Sequence, residues 1–455
     1  MSEPCDILLT ADLLLAQDDA RNVVEDAAVA VVGRRIAAVG PAERLDEAFS
    51  PARRLDLGRA LLMPGLVNAH THASMTMFRG LADDLPLMQW LQEAVFPVER
   101  RLTREAVRTG ALIACAEMIR TGTTCFLDGY ILTDEVLAAA DEAGLRAVVG
   151  EGLFAFPTPA AASAEEAMER VRARQAALAG RRRLRQCVLP HSIYATTPEI
   201  LRKAFDLARE LGVPLALHLA ESAGETAQVL AAHGARPVEF LRREGLLGPR
   251  PEGMDGGKAD GPDLLLAHCV DLTPEEIALL AASGARVAHC PESNAKLASG
   301  FAHVAALRAA GVCVALGTDG AASNNDLNMF GEMNSAALQA KGRARDSQAL
   351  SAQDVLDMAT RGSAEAVGWP ELGRLEAGGP ADLVALDLSR PNLMPLHDPV
   401  AQVVYAATGH EVRLTMCAGR VLYEDGRFTT LDMDDLSRRA RELAAWVRGN
   451  GAGAR

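Results

Sequence analysis

"PGLVNAHTHASM", residues 64–75, ends an apolar run with two histidines one residue apart. In a β-strand, residues i and i+2 point to the same face, so the side chains of His70 and His72 would project together. Two neutral imidazoles that converge at the end of a buried strand are half of a metal site, whereas the alternative is a pair of hydrogen-bonded core histidines. The metal interpretation requires further ligands from elsewhere in the chain.

The middle of the chain alternates between strand patterns and helix patterns. Counting "LVNAH" as the first, eight apolar strand segments alternate with helices, several of which begin at Ser or Thr-Pro and end in Gly. This alternation predicts an α/β fold, namely a (β/α)8 TIM-like barrel. The Gly/Pro-rich, charged stretch 249–262 is predicted to be a surface loop.

Both ends of the chain consist instead of short strands and Gly turns. They therefore predict one small β-sandwich domain that the barrel divides in the sequence. We assign residues 1–60 and 376–435 to this composite domain and residues 61–375 to the catalytic barrel. Residues 436–455 would form a C-terminal helix and tail.

The composition narrows the range of partners. With 455 residues, 49% hydrophobic residues and a net charge of −14, the chain has a large core and an acidic surface, which argues against nucleic acid or anionic membranes as partners. The eight cysteines form no CxxC pair, the start lacks a signal-peptide pattern, and no apolar run approaches the ~18 residues of a membrane span. These features predict a cytoplasmic protein, and its Ala/Leu-rich helices are compatible with a homo-oligomer.

Histidines and acids recur where the predicted barrel strands end, which is where barrel enzymes place their catalytic groups. The strand-end groups are His70 and His72 (strand 1), His191 (strand 4), His218 with Glu221 (strand 5), His268 (strand 6), His289 (strand 7) and Asp319 (strand 8). Their recurrence predicts an active site. The remaining histidines are predicted to be non-catalytic: His233, His303, His397 and His410.

Three imidazoles and one carboxylate of this group form a candidate metal site with room for a water: His70, His72, His218 and Asp319. Such a set suits zinc, and also ferrous iron, cobalt or nickel, with zinc first by availability. Strand 4 offers His191 and no lysine to bridge two ions, so we expect one metal. Glu221 follows His218 by three residues and is predicted to be a general acid/base rather than a ligand.

The chain resembles the amidohydrolase superfamily in five segments: "NAHTHASMTMFRGLADDLPLMQWL", "HLAES", "AHCVDLTPEEI", "CPESNAKLASG" and "GTDGAASNNDLNMFGEM". Within the superfamily it is similar to the methylthioadenosine/S-adenosylhomocysteine deaminases. These are near relatives of the chlorohydrolases and aminohydrolases that act on triazine and purine rings. The resemblance extends over residues 5 to 430.

The resemblance implies hydrolytic deamination of an adenosine-type nucleoside, most readily 5'-methylthioadenosine, to an inosine-type product and ammonia. A metal-activated hydroxide would attack carbon 6 of the adenine ring while Glu221 carries a proton to ring nitrogen 1. His268 would polarise the attacking oxygen, and Asp319 would assist proton transfer to the departing amine. The implied substrate-binding residues are Glu99 (ribose), Trp90 (thioether end), His191 (nucleoside) and Ser323 (substrate loop). Lys296 and Asn294 receive no role.

One departure from the family pattern bears on the substrate. Family members that accept S-adenosylhomocysteine hold its carboxylate with arginines after strand 3. Here Glu151 is followed by no arginine before Arg170. A buried anion without a cation partner is unfavourable, so we expect methylthioadenosine or adenosine to be preferred over S-adenosylhomocysteine.

Three other functions remain open at this point. The same site could act on a triazine, a guanine-type ring or another amino- or chloro-heterocycle, although the Glu99 match argues against these rings. It could also hydrolyse a cyclic amide or an imidazolone. A non-enzymatic scaffold is disfavoured, because all four ligands are present together with Glu221 and His268.

Overall fold

The computed structural model describes residues 2–81, 83–84, 93, 95–248 and 261–450. Trp90 and residues 249–260 of the predicted surface loop lie outside the described residues. Among the described helices, none combines the length and the apolar character that crossing a membrane requires.

The chain begins with five strands of a mixed sheet: β1 (Glu3–Leu15), β2 (Val23–Val32), β3 (Arg35–Pro41), β4 (Phe49–Asp56) and β5 (Ala60–Pro64). Neighbouring residues of β1 show why this sheet forms. Leu8 and Leu9 point to opposite faces of the strand and are both fully buried, in separate apolar clusters. Both faces of the sheet are therefore covered by apolar side chains.

Eight strands then follow one another around a parallel barrel. They are β6 (Leu66–Thr71), β7 (Thr123–Tyr130), β8 (Arg146–Leu153), β9 (Leu184–Pro190), β10 (Leu215–Leu219), β11 (Leu264–His268), β12 (Arg286–His289) and β13 (Cys313–Leu316). Past the end of β13, the Asp319 N–H donates to the carbonyl of His70 at 2.9 Å and brings the last strand to the first. The predicted (β/α)8 barrel is confirmed.

The chain returns to the mixed sheet with β14 (Leu383–Asp387), β15 (Val412–Cys417), β16 (Arg420–Glu424) and β17 (Arg427–Phe428). Strand β14 pairs antiparallel with β5 on one side and with β15 on the other. The small domain is thus built from both chain ends, as the sequence predicts, and its strands form one nine-stranded mixed sheet.

Helices connect the strands of the barrel and extend beyond it. The described α-helices are α1 (Ala42–Ala48), α2 (Phe96–Glu99), α3 (Arg104–Arg120), α4 (Asp134–Ala143), α5 (Ala164–Ala177), α6 (Pro198–Leu211), α7 (Ala223–His233), α8 (Pro237–Arg243), α9 (Pro274–Ser283), α10 (Pro291–Lys296), α11 (Val304–Ala309), α12 (Met329–Ala344), α13 (Ala352–Asp357), α14 (Ser363–Ala366), α15 (Pro399–Tyr405) and α16 (Met433–Asn450). Short 3-10 helices span Ala73–Phe78 and Pro391–Leu393, and one π-helical turn spans Met358–Gly362.

The helix ends have the predicted capping residues. Before α6, the Thr197 hydroxyl accepts the N–H of Ile200, and after it Gly212 takes a left-handed conformation with φ of 63°. Thr273 and Glu276 form a capping box at the start of α9. Helix α6 ends four residues before β10, and α9 ends three residues before β12, so the connections into these two strands are short.

A buried ion pair joins the barrel to the mixed sheet. Arg146, at the start of β8, contacts both carboxylate oxygens of Asp382 at 2.8 and 2.9 Å. Arg146 is 6% exposed and Asp382 is 4% exposed. Both charges are removed from water, so the pair depends on its geometry being intact.

Replacing Arg146 with Met is expected to lower the free energy of unfolding by about 3–5 kcal/mol, because the Asp382 carboxylate would stay buried without its cation. The surface pair Arg53–Glu424, with its atoms 2.6 Å apart, provides a matched control. Arg53→Met should change stability by about 0–1 kcal/mol, since exposed ion pairs are weak. Urea unfolding of both variants measures the difference, and equal losses would show that burial of the Arg146 pair is unimportant.

Candidate active site

A cavity of about 400 Å³ opens where the barrel strands end. Its polar lining includes residues from four strand ends and the segments that follow them: His72, His218, Glu221, His268 and Asp319. A more apolar part is formed by the loop after β8, with Phe154, Phe156, Pro157 and Pro159. The volume lies within the range of small-molecule sites.

The four predicted metal ligands lie together. The Oδ1 atom of Asp319 is 3.2 Å from Nε2 of His72 and 3.5 Å from Nε2 of His70. The Nε2 atoms of His72 and His218 are 3.2 Å apart. One ligand atom from each of the three histidines lies within 4.8 Å of the others. His70 lies in β6 and His72 follows the strand directly. Both imidazoles therefore meet Asp319, which follows β13, and His72 also meets His218 of β10.

Backbone carbonyls orient two of these rings. Nδ1 of His72 donates to the carbonyl of Gly129, and Nδ1 of His218 donates to the carbonyl of His191 at 2.7 Å. With the proton on Nδ1, each Nε2 presents a lone pair to the centre of the group, which is the orientation that metal-binding histidines require.

The Asp319 carboxylate is oriented by hydroxyl groups. Its Oδ2 accepts from Ser293 and from Ser323, each at 2.7 Å, which leaves Oδ1 facing the histidines. Asp319 also has a left-handed backbone with φ of 59°, as does His268 with φ of 72°. Such conformations are unfavourable for non-glycine residues and are concentrated at functional sites.

The charges of the group fit a bound cation. Burial lowers the pKa of His70 to about 4, which keeps its imidazole neutral and able to bind a metal. Its Nε2 atom is buried without a hydrogen-bond partner. Burial also opposes charge on His72, yet the Asp319 carboxylate raises the pKa of His72 to about 9. The site thus stabilises positive charge, and Nε2 of His70, which could bind a metal, makes no hydrogen bond within the described residues.

Glu221 and His268 form a second pair on the cavity. Oε2 of Glu221 lies 3.9 Å from Nε2 of His268. Burial raises the pKa of Glu221, with a further contribution from the Asp319 carboxylate. Burial would lower the pKa of His268, but the carboxylates of Glu221 and Asp319 raise it above its ordinary value. Both groups lie where they can exchange protons with a molecule bound in the cavity.

The described substrate-binding candidates Glu99, His191 and Ser323 also line the cavity. Glu99 accepts the hydroxyl of Tyr130 at 2.7 Å, and burial raises its pKa. Burial lowers the pKa of His191 to about 3, so its ring is neutral. Ser323 directs its hydroxyl to Asp319, as described above.

Not every strand-end histidine belongs to this cavity. His289, at the end of β12, is buried away from the cavity lining, and its Nδ1 has no partner. The four histidines predicted to be non-catalytic are likewise not among the described residues that line it. Strand β12 reaches the site instead through α10, which carries Ser293 and Asn294.

Sequence reasoning missed several lining residues. Tyr130 ends β7, while Phe154 and Phe156 follow β8, so their position after a strand was an available signal. Arg100, at the end of α2, also lines the cavity and is exposed. No strand end or spacing pattern marks Arg100.

Lys296 joins two loops beside the site. Its Nζ lies 2.8 Å from Oδ1 of Asp83 and also bonds to Asn325, whose own amide donates to Oδ2 of Asp83 at 3.0 Å. Asn325 belongs to the loop that carries Asp319 and Ser323. Lys296 thus ties this loop to the segment after the first 3-10 helix.

The fold and the site define a barrel hydrolase with a histidine/aspartate metal site. The model of the amidohydrolase family matches residues 61–422, and the chain belongs to this family, as the resemblance predicts. A 5-methylthioadenosine/S-adenosylhomocysteine deaminase from Nitratidesulfovibrio vulgaris (strain Miyazaki F) is 53% identical, over 98% of this chain and 99% of the relative.

Solved structures agree with this family. An adenosine deaminase from Xanthomonas campestris with bound zinc has 40% sequence identity and a TM-score of 0.93, over 99% of this chain and 100% of that chain. An atrazine chlorohydrolase from Arthrobacter aurescens complexed with zinc has 24% identity and a TM-score of 0.85, over 96% of this chain and 100% of that chain. At this identity the chlorohydrolase supports the fold alone.

Proposed function

We propose that this protein hydrolytically deaminates an adenosine-type nucleoside, with 5'-methylthioadenosine as its preferred substrate. The observation that carries the proposal is that the pair Glu221–His268 lines one cavity of nucleoside size together with three of the four metal-ligand candidates, His72, His218 and Asp319. The names of two full-length relatives support the same reaction, because one is an adenosine deaminase and the other is a methylthioadenosine/S-adenosylhomocysteine deaminase.

We propose one divalent metal, most readily Zn²⁺, held by His70, His72, His218 and Asp319. The neutral imidazole of His70, its unsatisfied Nε2 and the single carboxylate of Asp319 support this assignment. A metal bound there would lower the pKa of a water molecule from about 15.7 to near 7 and so provide a nucleophile at neutral pH.

The remaining chemistry belongs to the protein's own side chains. Glu221 takes a proton from the attacking water and delivers it to ring nitrogen 1, so that carbon 6 accepts the oxygen. His268 contacts the attacking oxygen, and Asp319 assists proton transfer to the amino group. The C–N bond then breaks, ammonia leaves, and a hypoxanthine ring remains.

We assign recognition of the nucleoside to the cavity-lining residues Glu99, His191 and Ser323, and to Trp90. Glu99 would accept the ribose hydroxyls, and the Tyr130 hydroxyl supports its carboxylate at 2.7 Å. His191 would contact the nucleoside through its neutral ring, and Ser323 would take part from the substrate loop that follows Asp319. Trp90, outside the described residues, is assigned to the thioether end.

The surroundings of the cavity support an uncharged tail on the nucleoside. Glu151 accepts Arg174 at 2.8 Å, and neither residue is among the described residues that line the cavity. The loop after β8 presents Phe154 and Phe156 instead. Arg100 is exposed, and an exposed ion pair contributes about 1 kcal/mol at most, which is roughly fivefold in affinity.

We therefore expect kcat/KM for methylthioadenosine to exceed that for S-adenosylhomocysteine by about tenfold or more, because the tail carboxylate would lose water without gaining a buried cation. Arg100→Gln serves as the control and should lower kcat/KM for S-adenosylhomocysteine by about fivefold at most. Equal rates on the two substrates in the wild type, with a selective loss in Arg100→Gln, would contradict this expectation.

The proposed function is tested by ultraviolet absorbance of the zinc-loaded protein with methylthioadenosine, adenosine, S-adenosylhomocysteine and guanine, each measured separately. Loss of the adenine band with methylthioadenosine is the expected result. Turnover of guanine alone, or of no purine at all by protein that binds one zinc per chain, would reject the proposal. Triazines and cyclic amides would then form the next panel.

Three further expectations complete the proposal. All eight cysteines are unpaired, which supports a cytoplasmic location. We also propose assembly into a homo-oligomer and the division into a composite domain, a barrel and a C-terminal helix given above.

A further inference from the structure

The segment after β12 reaches the active site through two neighbouring side chains of α10. Ser293 donates to Oδ2 of Asp319 at 2.7 Å, and Oδ1 of Asn294 lies 2.9 Å from Nδ1 of His268. Both side chains are fully buried. One helical turn therefore contacts a metal-ligand candidate and the proton-transfer histidine together, although neither Ser293 nor Asn294 is among the described residues that line the cavity.

The contact between Asn294 and His268 determines where the imidazole carries its proton. With Oδ1 of Asn294 facing the ring, Nδ1 of His268 donates to it, because an amide oxygen only accepts hydrogen bonds. The proton therefore stays on Nδ1 in the neutral ring as well as in the charged ring. The other nitrogen, Nε2, then faces Glu221 and the cavity as a lone pair that can receive a proton and return it.

An amide suits this position better than an acid. Glu221, Glu225 and Asp319 already place negative charge around His268. Asn294 supplies an acceptor without adding another charge, so the ring is oriented without being fixed in its protonated form.

We propose that Asn294 is the positioning residue that holds His268 with Nδ1 protonated and Nε2 directed at the reacting oxygen. The role of this residue rests on the proposed deaminase function, because His268 acts there on the attacking water. Asn294 itself contacts neither substrate nor metal. Its effect on the reaction is transmitted entirely through the orientation and tautomer of the His268 ring.

Two substitutions separate this role from simple packing. Asn294→Leu keeps a similar volume and removes the acceptor, and we expect kcat for methylthioadenosine to fall by about tenfold to a hundredfold. KM and zinc content should stay within about threefold of the wild type, since Asn294 binds neither substrate nor metal. Asn294→Asp restores an acceptor at the same place and should recover part of kcat, because its added negative charge favours the protonated ring.

Asn334→Leu is the matched control. Asn334 lies on α12, and its amide donates to the carbonyl of Tyr405 at 3.3 Å, away from the cavity. This variant should retain wild-type kcat. A fall in kcat as large as that of Asn294→Leu would assign the effect to packing and overturn the proposal.

Nitrogen-15 NMR of histidine-labelled, zinc-loaded protein tests the tautomer directly, with the His268 signals assigned by their loss in His268→Asn. We expect Nδ1 of His268 to carry a proton throughout the neutral pH range in the wild type and in Asn294→Asp. A bare Nδ1 in the wild type, or wild-type kcat in Asn294→Leu, would overturn the proposal. If the wild type turns over no nucleoside, the proposed function fails, whereas the NMR result still decides the assignment of Asn294.

Discussion

Glu221→Gln is expected to lower kcat for methylthioadenosine by about 10²–10⁴-fold, the usual contribution of a general acid/base. The amide cannot take the proton of the attacking water or deliver one to the ring. Glutamine has nearly the same shape, so zinc content and the free energy of unfolding should stay close to the wild type. Single-turnover absorbance at saturating substrate measures the loss in the chemical step.

Glu276→Gln is the control for this substitution. Glu276 is also buried, at 4% exposure, but it caps α9 and lies outside the described cavity lining. Its glutamine variant should keep full activity. If Glu221→Gln retained more than a tenth of wild-type kcat, Glu221 would not be the proton carrier.

Removal of the metal is expected to abolish activity and to lower the melting temperature. A ligand that binds only the folded state stabilises it by about 4.1 kcal/mol when present at 1,000 times its dissociation constant. His218 contributes Nε2 to the candidate ligand group, 3.2 Å from Nε2 of His72. His218→Ala should therefore lose most of the zinc-dependent rise in melting temperature, as measured by calorimetry with and without a chelator.

The control is His233→Ala, because His233 lies on α7 outside the described cavity lining. It should keep both activity and the zinc-dependent stabilisation. An unchanged zinc response in His218→Ala would remove His218 from the ligand group, while activity that survives complete removal of the metal would reject metal dependence altogether.

Much of the site could be predicted because barrel topology converts chain order into position. Apolar runs mark the strands, and the first polar residues after each run fall on one rim of the barrel. His70, His218 and Asp319 are separated by about 100 residues or more in the sequence, yet their side chains meet at the end of β6, β10 and β13. Spacing within one strand predicted the pair His70 and His72.

The same reasoning failed where a side chain reaches the site from a helix or acts through another residue. His289 fits the strand-end rule, but its ring is buried away from the cavity, and Asn294, five residues after the end of β12, makes the contact with His268. Arg100 lines the cavity from the end of α2. The position of such residues depends on how a helix packs against the barrel, which no local pattern encodes.

The mixed sheet cannot be completed until most of the chain has been synthesised. Strand β5 pairs with β14, and Pro64 lies opposite Leu383, which is 319 residues later in the sequence. At roughly 5–20 residues per second, the ribosome needs about 16 to 60 s to deliver the missing partner. During that interval one edge of β5 lacks the strand that covers it, and an uncovered apolar edge promotes aggregation. Nascent chains stalled before residue 383 should therefore depend on chaperones more than the released, full-length chain.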